Sequence, residues 1–261
     1  MTAVTSEPAA APVGKVLLEA TELYKSFGAV RALEGASVRV HEAQVHALVG
    51  DNGAGKSTFV RCLTGVQSPD RGEISFQGSP LVMTDPNDAR KRGIETVYQN
   101  LALIEELTVW QNLYLDREIT RFGFLDRAQM KLRSQDILRR LDVNVPSIHA
   151  KVQKMSGGQR QCIAIARAVN WGSNLVIMDE PTAALGVRET AAVERLIQQL
   201  RADGIAVLLI THDMDQVLRC ADRVTVMRRG HDVTTRTVAE VTPDDLVGLI
   251  TGAIQPATRE R

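Results

Sequence analysis

Hydrophobic residues along the chain follow two periods that alternate. Short runs of consecutive apolar residues are typical of strands buried on both faces, and between them apolar residues recur at the spacing of helices packed by one side. Because strands joined by crossover helices form parallel sheets, the pattern predicts an α/β fold with a mostly parallel sheet flanked by helices. The predicted strands of this sheet are residues 44–49, 94–98, 174–178, 205–210 and 224–227.

The same pattern predicts the main helices. Residues 156–169 carry alanine and isoleucine on nearly every side, which indicates a buried helix. Two amphipathic helices are predicted from Asp126 and over 187–200, and a last helix over 243–250. The expected inward positions are Met130, Ile137, Leu138 and Leu141 in the first amphipathic helix, and Val193, Leu196, Ile197 and Leu200 in the second.

The remaining segments suggest the domain boundaries. Residues 1–14 are rich in alanine and proline and lack the pattern of a secretion signal, so we expect a disordered leader. Residues 15–252 are expected to form one domain, with a helical subdomain at about 100–170 inserted in the sheet, followed by a polar tail at 253–261. No segment approaches the roughly 20 apolar residues of a membrane-spanning helix, so work at a membrane would require another chain.

Composition excludes some classes of function. Lys plus Arg and Asp plus Glu both number 31, and aromatic residues make up 4% of the chain. Nucleic-acid binding normally needs a basic face or an aromatic stacking surface, so no nucleic-acid partner is expected. The isolated cysteines Cys62, Cys162 and Cys220 are predicted to be core residues of a reduced compartment, and His46 a core histidine.

The most informative stretch follows the strand at 44–49. Its glycines let the backbone curl so that consecutive N–H groups converge, and the following helix adds its positive dipole end. Lys56 is then placed to reach phosphates and Ser57 to bind Mg²⁺. The stretch predicts a polyphosphate socket, the alternative being a tight turn without a ligand. Its residues are Gly50, Asp51, Asn52, Gly53, Ala54, Gly55, Lys56, Ser57 and Thr58.

Polar groups also follow the ends of neighbouring strands. They are Gln99, Asp179, Glu180 and His212. Because ligands of open α/β sheets bind beyond the carboxyl ends of the strands, we expect one shared site. Asp179 is predicted to bind Mg²⁺ or its waters, and Glu180 to deprotonate a water. His212 is predicted to contact the terminal phosphate, and Gln99 to complete the metal or water shell. Taken singly, each has an ordinary alternative, such as a loop histidine or a turn.

A second unusual element begins the helix at 156. Ser156, Gly157, Gly158 and Gln159 combine a capping box with two glycines. Glycine in a helix costs about 1 kcal/mol relative to alanine, so the pair indicates close approach to something anionic. The alternative is an ordinary helix start.

These residues, taken together, resemble the ATP-binding subunit of ATP-binding cassette transporters. The resemblance is carried by GDNGAGKST at 50–58, Gln99, MSGGQ at 155–159, LVIMDE at 175–180 and His212. It extends over about 16–228 and implies a P-loop NTPase fold with a RecA-like core and an antiparallel β portion near the N-terminus. It also implies ATP and Mg²⁺ as ligands and adenine stacking on Phe27, for which a core aromatic is the alternative. A second ATP-binding subunit, expected to be an identical copy, would close the ATP site with its own residues 156–159.

Within the family, residues 97–115, 179–190 and 210–217 look most like the ATPases of bacterial sugar importers of the ribose, xylose and fructose type. This implies a multispanning membrane permease as partner, an extracytoplasmic sugar-binding protein acting indirectly, and a peripheral location on the cytoplasmic face of the inner (plasma) membrane. Leu101, Leu103 and Trp110 are candidates for the docking groove. Two departures are a single cassette where many such proteins have two, and Gly186 in place of the usual aspartate, which puts a cross-dimer contact in doubt.

Two other functions stay open at this point. A non-transport cassette protein acting on ribosomes or DNA typically needs a second cassette, a coiled-coil insertion or a basic extension, and none is visible. A small-molecule kinase could use the same phosphate loop, but it would not need Ser156 to Gln159 or a glutamate after Asp179.

Overall fold

The computed structural model describes residues 14–255, so the predicted leader lies almost wholly outside the described residues, as does most of the predicted tail. The strands are β1 (Val16–Phe27), β2 (Val30–His41), β3 (Val45–Gly50), β4 (Arg71–Phe76), β5 (Ser79–Pro80), β6 (Ile94–Val97), β7 (Thr120–Arg121), β8 (Phe124–Leu125), β9 (Leu175–Asp179), β10 (Ala206–Ile210), β11 (Arg223–Arg228) and β12 (His231–Thr237). The helices are α1 (Lys56–Leu63), α2 (Pro86–Lys91), α3 (Val109–Leu113), α4 (Arg127–Arg140), α5 (Gly157–Val169), α6 (Val187–Ala202), α7 (Met214–Cys220) and α8 (Pro243–Thr251).

The central sheet has six strands in the order β12-β11-β3-β10-β9-β6. All neighbours are parallel except β11 and β12. Side chains of β10 alternate between two apolar clusters: Val207 and Leu209 pack on one face of the sheet, and Leu208 and Ile210 on the other. The sheet is therefore buried on both faces, which explains its continuous apolar strands and confirms the predicted α/β class.

A second, antiparallel sheet covers one face. Its strand order is β2-β1-β4-β5, and α1 lies between it and the central sheet, with Phe59 and Leu63 buried in the shared core. The predicted antiparallel portion near the N-terminus is therefore confirmed.

The chain between β6 and β9 contains α3, α4 and α5, which pack in one apolar cluster with α6. The predicted inward positions of α4 and α6 are all buried, and Asp126 caps α4 as expected. The helical expectation over the segment after residue 100 is wrong at one place, where β7 and β8 form a hairpin. Phe122 and Gly123 both have positive φ, of 53° and 83°, as a two-residue hairpin turn requires. The boundaries of a separate helical subdomain stay a prediction.

The structure also contains two elements, β12 and α7, that the hydrophobic pattern does not predict. Strand β12 is rich in threonine and pairs at the edge of the central sheet, so it lacks the apolar run of the interior strands. Helix α7 is short and begins at Asp213, whose side chain accepts a hydrogen bond from the N–H of Gln216. Within residues 14–255, no helix has the length and apolar character needed to cross a bilayer.

Candidate active site

Residues 50–58, here called the phosphate loop, join β3 to α1 and pack tightly against the rest of the chain. A Cβ atom on Gly50 would clash with the carbonyl oxygen of Met227, and one on Gly55, whose φ is 102°, would lie 2.6 Å from the carbonyl oxygen of Ala32. Glycine is therefore required at both positions by close approach of backbone.

The turn between β11 and β12 holds this loop in place. The N–H of Gly230 donates to the carbonyl of Ala54 at 2.9 Å, and the carbonyl of Gly230 accepts from the N–H of Glu34 at 2.8 Å. Through one residue the loop is thus bound to the C-terminal hairpin and to β2.

The loop ends in a helix start without a side-chain cap. Gly55 occupies the cap position of α1 and offers no side-chain acceptor. The first N–H groups of an α-helix have no partner within the helix, so those of Lys56, Ser57 and Thr58 are available to a ligand. Such donors at the positive end of a helix fit the phosphates of a nucleotide.

Lys56 folds back over the loop. Its Nζ donates to the carbonyl oxygens of Gly50 at 2.7 Å and Asp51 at 3.1 Å. Burial lowers the pKa of the Lys56 ammonium, while the negative charges of Glu180, Asp179 and Asp51 act in the opposite direction. The lysine is therefore held among carboxylates of the site.

The sheet register brings the other predicted residues to the same edge. Ile210 lies opposite Asp179 on one side and Leu48 on the other, so Glu180 and His212 follow beside the start of the phosphate loop. Gln99 follows β6, in which Val97 lies opposite Met178. Gln99 is exposed, and its side chain makes no hydrogen bond to the residues between 14 and 255.

Glu180 and His212 form a pair. The Nδ1 atom of His212 lies 2.9 Å from Oε1 and 2.8 Å from Oε2 of Glu180. Because an ionised carboxylate only accepts hydrogen bonds, Nδ1 is the donor. The Glu180 side chain is 19% exposed and that of His212 is 71% exposed.

The backbone of Glu180 is in a rarely used conformation. Its φ is 51°, and its N–H donates to the carbonyl of Ile210 at 2.9 Å. A non-glycine residue at positive φ carries strain, and such strain concentrates at functional sites. The strand end therefore turns sharply and directs the glutamate to His212.

Asp179 is half-buried at the end of β9. Its burial, and then repulsion by Glu180, raises the pKa of the Asp179 carboxyl above its usual value, against the opposing charges of Lys56 and Arg61. Asp179, Ser57 and Gln99 each carry a side-chain oxygen of the kind that Mg²⁺ prefers, and Mg²⁺ commonly uses one or two protein ligands with substrate phosphates. Among the described residues no group of three or more His, Cys, Asp or Glu side chains could hold a metal ion.

Phe27 lies at the end of β1, next to the turn into β2. Phe27 is 43% exposed, and the Nζ of Lys25 lies 5.8 Å from its ring centroid. The exposure argues against a core role and leaves a ring face free for stacking. His46, by contrast, is fully buried and bonded to Thr225, and burial lowers its pKa to about 3, as expected of a core histidine.

The second predicted anion-binding element, residues 156–159, lies at the start of α5 and is here called the second socket. Ser156 is the cap residue, its Oγ accepting from the N–H of Gln159 at 3.3 Å and its own N–H donating to Oε1 of Gln159 at 3.1 Å. The predicted capping box is confirmed. The socket opens on a cleft of about 1350 Å³ between α5, α6 and residues 141–144, and no hydrogen bond or ion pair of the described residues joins it to the phosphate loop.

Several residues near the site were not predicted. Asn112 is buried and exchanges hydrogen bonds with both backbone groups of Ile104, at 2.8 and 2.9 Å. Arg167 of α5 donates to the carbonyls of Leu101 and Ala102, both at 2.7 Å, and Arg160 pairs with Glu105 at 2.7 Å. Arg160 and Arg167 tie the loop after Gln99 to α5, and Asn112 ties it to α3. Their contacts are between distant elements, so no local pattern indicates them.

The fold and the site together define an ATP-binding cassette. The profile of the family described as ABC transporter matches residues 33–183. The chain belongs to this family and is an ATPase of the ATP-binding cassette type.

Three relatives show what the chain is similar to. The xylose/arabinose import ATP-binding protein XylG of Sulfolobus acidocaldarius is 43% identical, over 90% of this chain and 94% of that protein. The fructose import ATP-binding protein FrcA of Rhizobium meliloti is 42% identical, over 92% and 95%. A putative ribose/galactose/methyl galactoside import ATP-binding protein of Burkholderia cenocepacia is 39% identical over 93% of this chain, which spans only 46% of that protein.

Solved structures agree with the fold. A nucleotide-free ATP-binding cassette from an ABC transporter has a TM-score of 0.78 at 25% identity, covering 90% of this chain and 98% of its own. The ADP conformation of another ATP-binding cassette of an ABC transporter has a TM-score of 0.80 at 26% identity, covering 91% and 99%.

Proposed function

We propose that this chain is the ATP-hydrolysing motor subunit of an importer that moves a monosaccharide through a membrane permease. The observation that carries the hydrolytic part is the Glu180–His212 pair, which follows the strand ends beside Asp179 and close enough to Lys56 for the charge of Glu180 to act on it. The sugar is inferred from relatives that are sugar-import ATP-binding proteins at 39–43% identity. Those relatives do not favour a protein that acts on ribosomes or DNA.

The chemistry assigned to the chain is hydrolysis of the terminal phosphate. Glu180 accepts a proton from water, a contribution of about 10²- to 10⁴-fold in rate, and His212 fixes the carboxylate through Nδ1. Lys56 and the N–H groups of the loop from Gly50 to Thr58 bind the phosphates. Phe27 stacks on the adenine.

The oxygen donors Ser57, Gln99 and Asp179 are the proposed ligands of Mg²⁺. When bound, the ion neutralises phosphate charge. Asp179 is the proposed carboxylate ligand because it ends β9 beside Glu180. A bound cation would relieve the repulsion between these two carboxylates.

We further propose that two subunits, expected to be identical copies, share each ATP. Of the four residues Ser156, Gly157, Gly158 and Gln159, all but Gly157 line an open cleft, and no hydrogen bond or ion pair of the described residues joins them to the phosphate loop of their own chain. A helix N-terminus that opens on such a cleft fits the phosphates of a nucleotide held by the partner. Turnover would then require the dimer.

Coupling to the permease is proposed to run through the loop after Gln99. Arg160 and Arg167 fasten this loop to α5, so movement of the second socket would move the loop with it. Leu101 and Leu103 of this loop and Trp110 of α3 are partly buried and remain the docking candidates. The subunit would lie on the cytoplasmic face of the inner membrane, held by the permease, with an extracytoplasmic sugar-binding protein acting indirectly.

Glu180→Gln tests the assigned chemistry. The variant should bind ATP with unchanged affinity and lose about 10²- to 10⁴-fold in turnover, because the amide cannot take a proton from water. Phosphate release by the purified complex with its permease, compared with and without candidate sugars and binding protein, measures this. Full turnover by Glu180→Gln would refute the base, and a complex without a permease would refute the transport role.

A further inference from the structure

A carboxylate of α6 lies against the N-terminus of α5. A Cβ atom on Gly158 would lie 2.7 Å from Cβ and 2.9 Å from Cγ of Glu189, so glycine is the residue that lets α6 come this close. The anionic group that the paired glycines indicated is therefore present within the chain itself.

Glu189 uses donors of both helices. Interactions with the Ser156 hydroxyl, the N–H of Gly186 and the N–H of Gly158 hold the pKa of the Glu189 carboxyl below its usual range. The Gly186 N–H lies 3.3 Å from Oε2. One carboxylate thus serves the first turn of α6 and the start of α5.

Glu189 also belongs to the start of its own helix. It is the third residue of α6, and its carboxylate accepts a hydrogen bond from the N–H of the cap residue Gly186, as the glutamate of a capping box does. Gly186 has no side chain to return a hydrogen bond to the N–H of Glu189.

We propose that Glu189 is a resident counter-anion of the second socket and sets how much ATP is needed to close the dimer. This inference rests on the proposed function, in which the Ser156 hydroxyl and the Gly158 N–H bind phosphate on the partner. Glu189 lies against Gly158 and lines the same cleft as Ser156, so an arriving phosphate and the Glu189 carboxylate repel each other, and closure requires the carboxylate to move away. Glu189 is a positioning residue that holds the socket ready and opposes premature closure.

The test is ATP-driven dimerisation of the full chain carrying Glu180→Gln, which prevents turnover. The midpoint ATP concentration is measured by light scattering with and without Glu189→Gln. The glutamine keeps the shape and an acceptor oxygen but removes the charge, so we expect the midpoint to fall about 2- to 5-fold, the range of a single charge at a helix N-terminus. Glu240→Gln, which removes one exposed carboxylate elsewhere, is the matched control and should leave the midpoint unchanged.

The direction of the change separates this role from a purely structural one. A glutamate that only caps α6 would, on losing its charge, raise the midpoint or leave it unchanged, and either result overturns the proposal. ATP binding by the monomer, followed by a fluorescent analogue, should not change, because Glu189 makes no contact with the phosphate loop of its own chain. If the Glu180→Gln chain binds ATP but never dimerises, the shared-site function fails and this inference with it; a dimer without a shifted midpoint overturns the inference alone.

Discussion

At the scale of single residues, two charged side chains of the site, Lys56 and Asp179, are partly buried among other charges. Lys56 is desolvated but kept among three carboxylates, and Asp179 is desolvated beside a like charge. Both groups are therefore less stable as ions than they would be in water, and both would gain from a phosphate or a cation of opposite sign. Two substitutions test these statements separately.

Lys56→Ala should weaken ATP binding about 10- to 100-fold. A charge-assisted hydrogen bond contributes about 1.5–3 kcal/mol, and the alanine removes the only cation in contact with the loop carbonyls of Gly50 and Asp51 among the described residues. Titration calorimetry measures the affinity, with exposed Lys91→Ala as the control. An unchanged affinity would sink the phosphate-loop assignment.

Asp179→Asn should stabilise the chain at pH 7.5 when nucleotide and Mg²⁺ are left out. The pKa of Asp179 is raised on folding, so its ionisation lowers the free energy of unfolding; this penalty is absent below the unfolded pKa of about 3.9 and complete above the folded pKa. The melting temperature should rise at pH 7.5, and the gain should shrink as the pH approaches 4.

The exposed Asp136→Asn is the control for charge removal in general. A melting temperature of Asp179→Asn below that of the parent at pH 7.5 would contradict an electrostatic cost of ionising Asp179.

At the scale of secondary-structure elements, the packing of α5 against α6 shapes the second socket. The two glycines that start α5 have different surroundings: an added Cβ meets only the Cδ2 end of Leu185 at Gly157, but the Cα, Cβ and Cγ of Glu189 at Gly158. The end of a leucine side chain can move, whereas the root of a side chain fixed in a helix cannot.

Gly158→Ala should therefore destabilise the chain by about 1–3 kcal/mol, the usual cost of overpacking. Gly157→Ala, as the matched variant, should change the free energy of unfolding by less than about 1 kcal/mol. Urea denaturation compares the two, and equal losses would show that the contact with Glu189 is not what selects glycine at 158.

At the element scale the sequence predicts well what depends on short-range pattern. The apolar strands, the inward faces of α4 and α6, and the capping box at Ser156 follow from residue spacing alone. The hairpin after Thr120 is missed because two positive φ values at Phe122 and Gly123, and not a hydrophobic period, create it. Glu189 is missed because its partner on α5 is 31 positions away in sequence, although the glycines carried the signal that something anionic approaches.

The whole molecule is held together by residues that join distant parts of the chain. Asp222 is one: its Oδ2 accepts from the N–H of Val45 at 2.9 Å, its Oδ1 lies 2.6 Å from Arg201, and its carbonyl accepts from the N–H of Val238 at 2.9 Å. The start of β3, the end of α6 and the segment after β12 thus meet at one side chain and its backbone. Hydrophobic patterning gives no indication of such a residue.

Asp222→Ala should lower the free energy of unfolding by about 2–3 kcal/mol, because it leaves a buried N–H of β3 without its acceptor and removes an ion pair. Asp136→Ala, whose partner Arg139 is 3.6 Å away on the surface, should cost less than about 0.5 kcal/mol. Chemical denaturation followed by circular dichroism measures both, and similar values would deny Asp222 its linking role.

The hydrogen bond between Gly230 and the phosphate loop affects the thermodynamics of nucleotide binding. Because the carbonyl of Ala54 accepts a backbone hydrogen bond from Gly230 and Gly50 pairs with Met227 of β11, these parts of the loop lose conformational entropy when the chain folds and not when nucleotide arrives. Ordering a free backbone costs about 1–2 kcal/mol per residue, so a preorganised loop spares the binding step several such terms. The C-terminal hairpin, far along the chain from the loop, is in this sense part of the affinity for ATP.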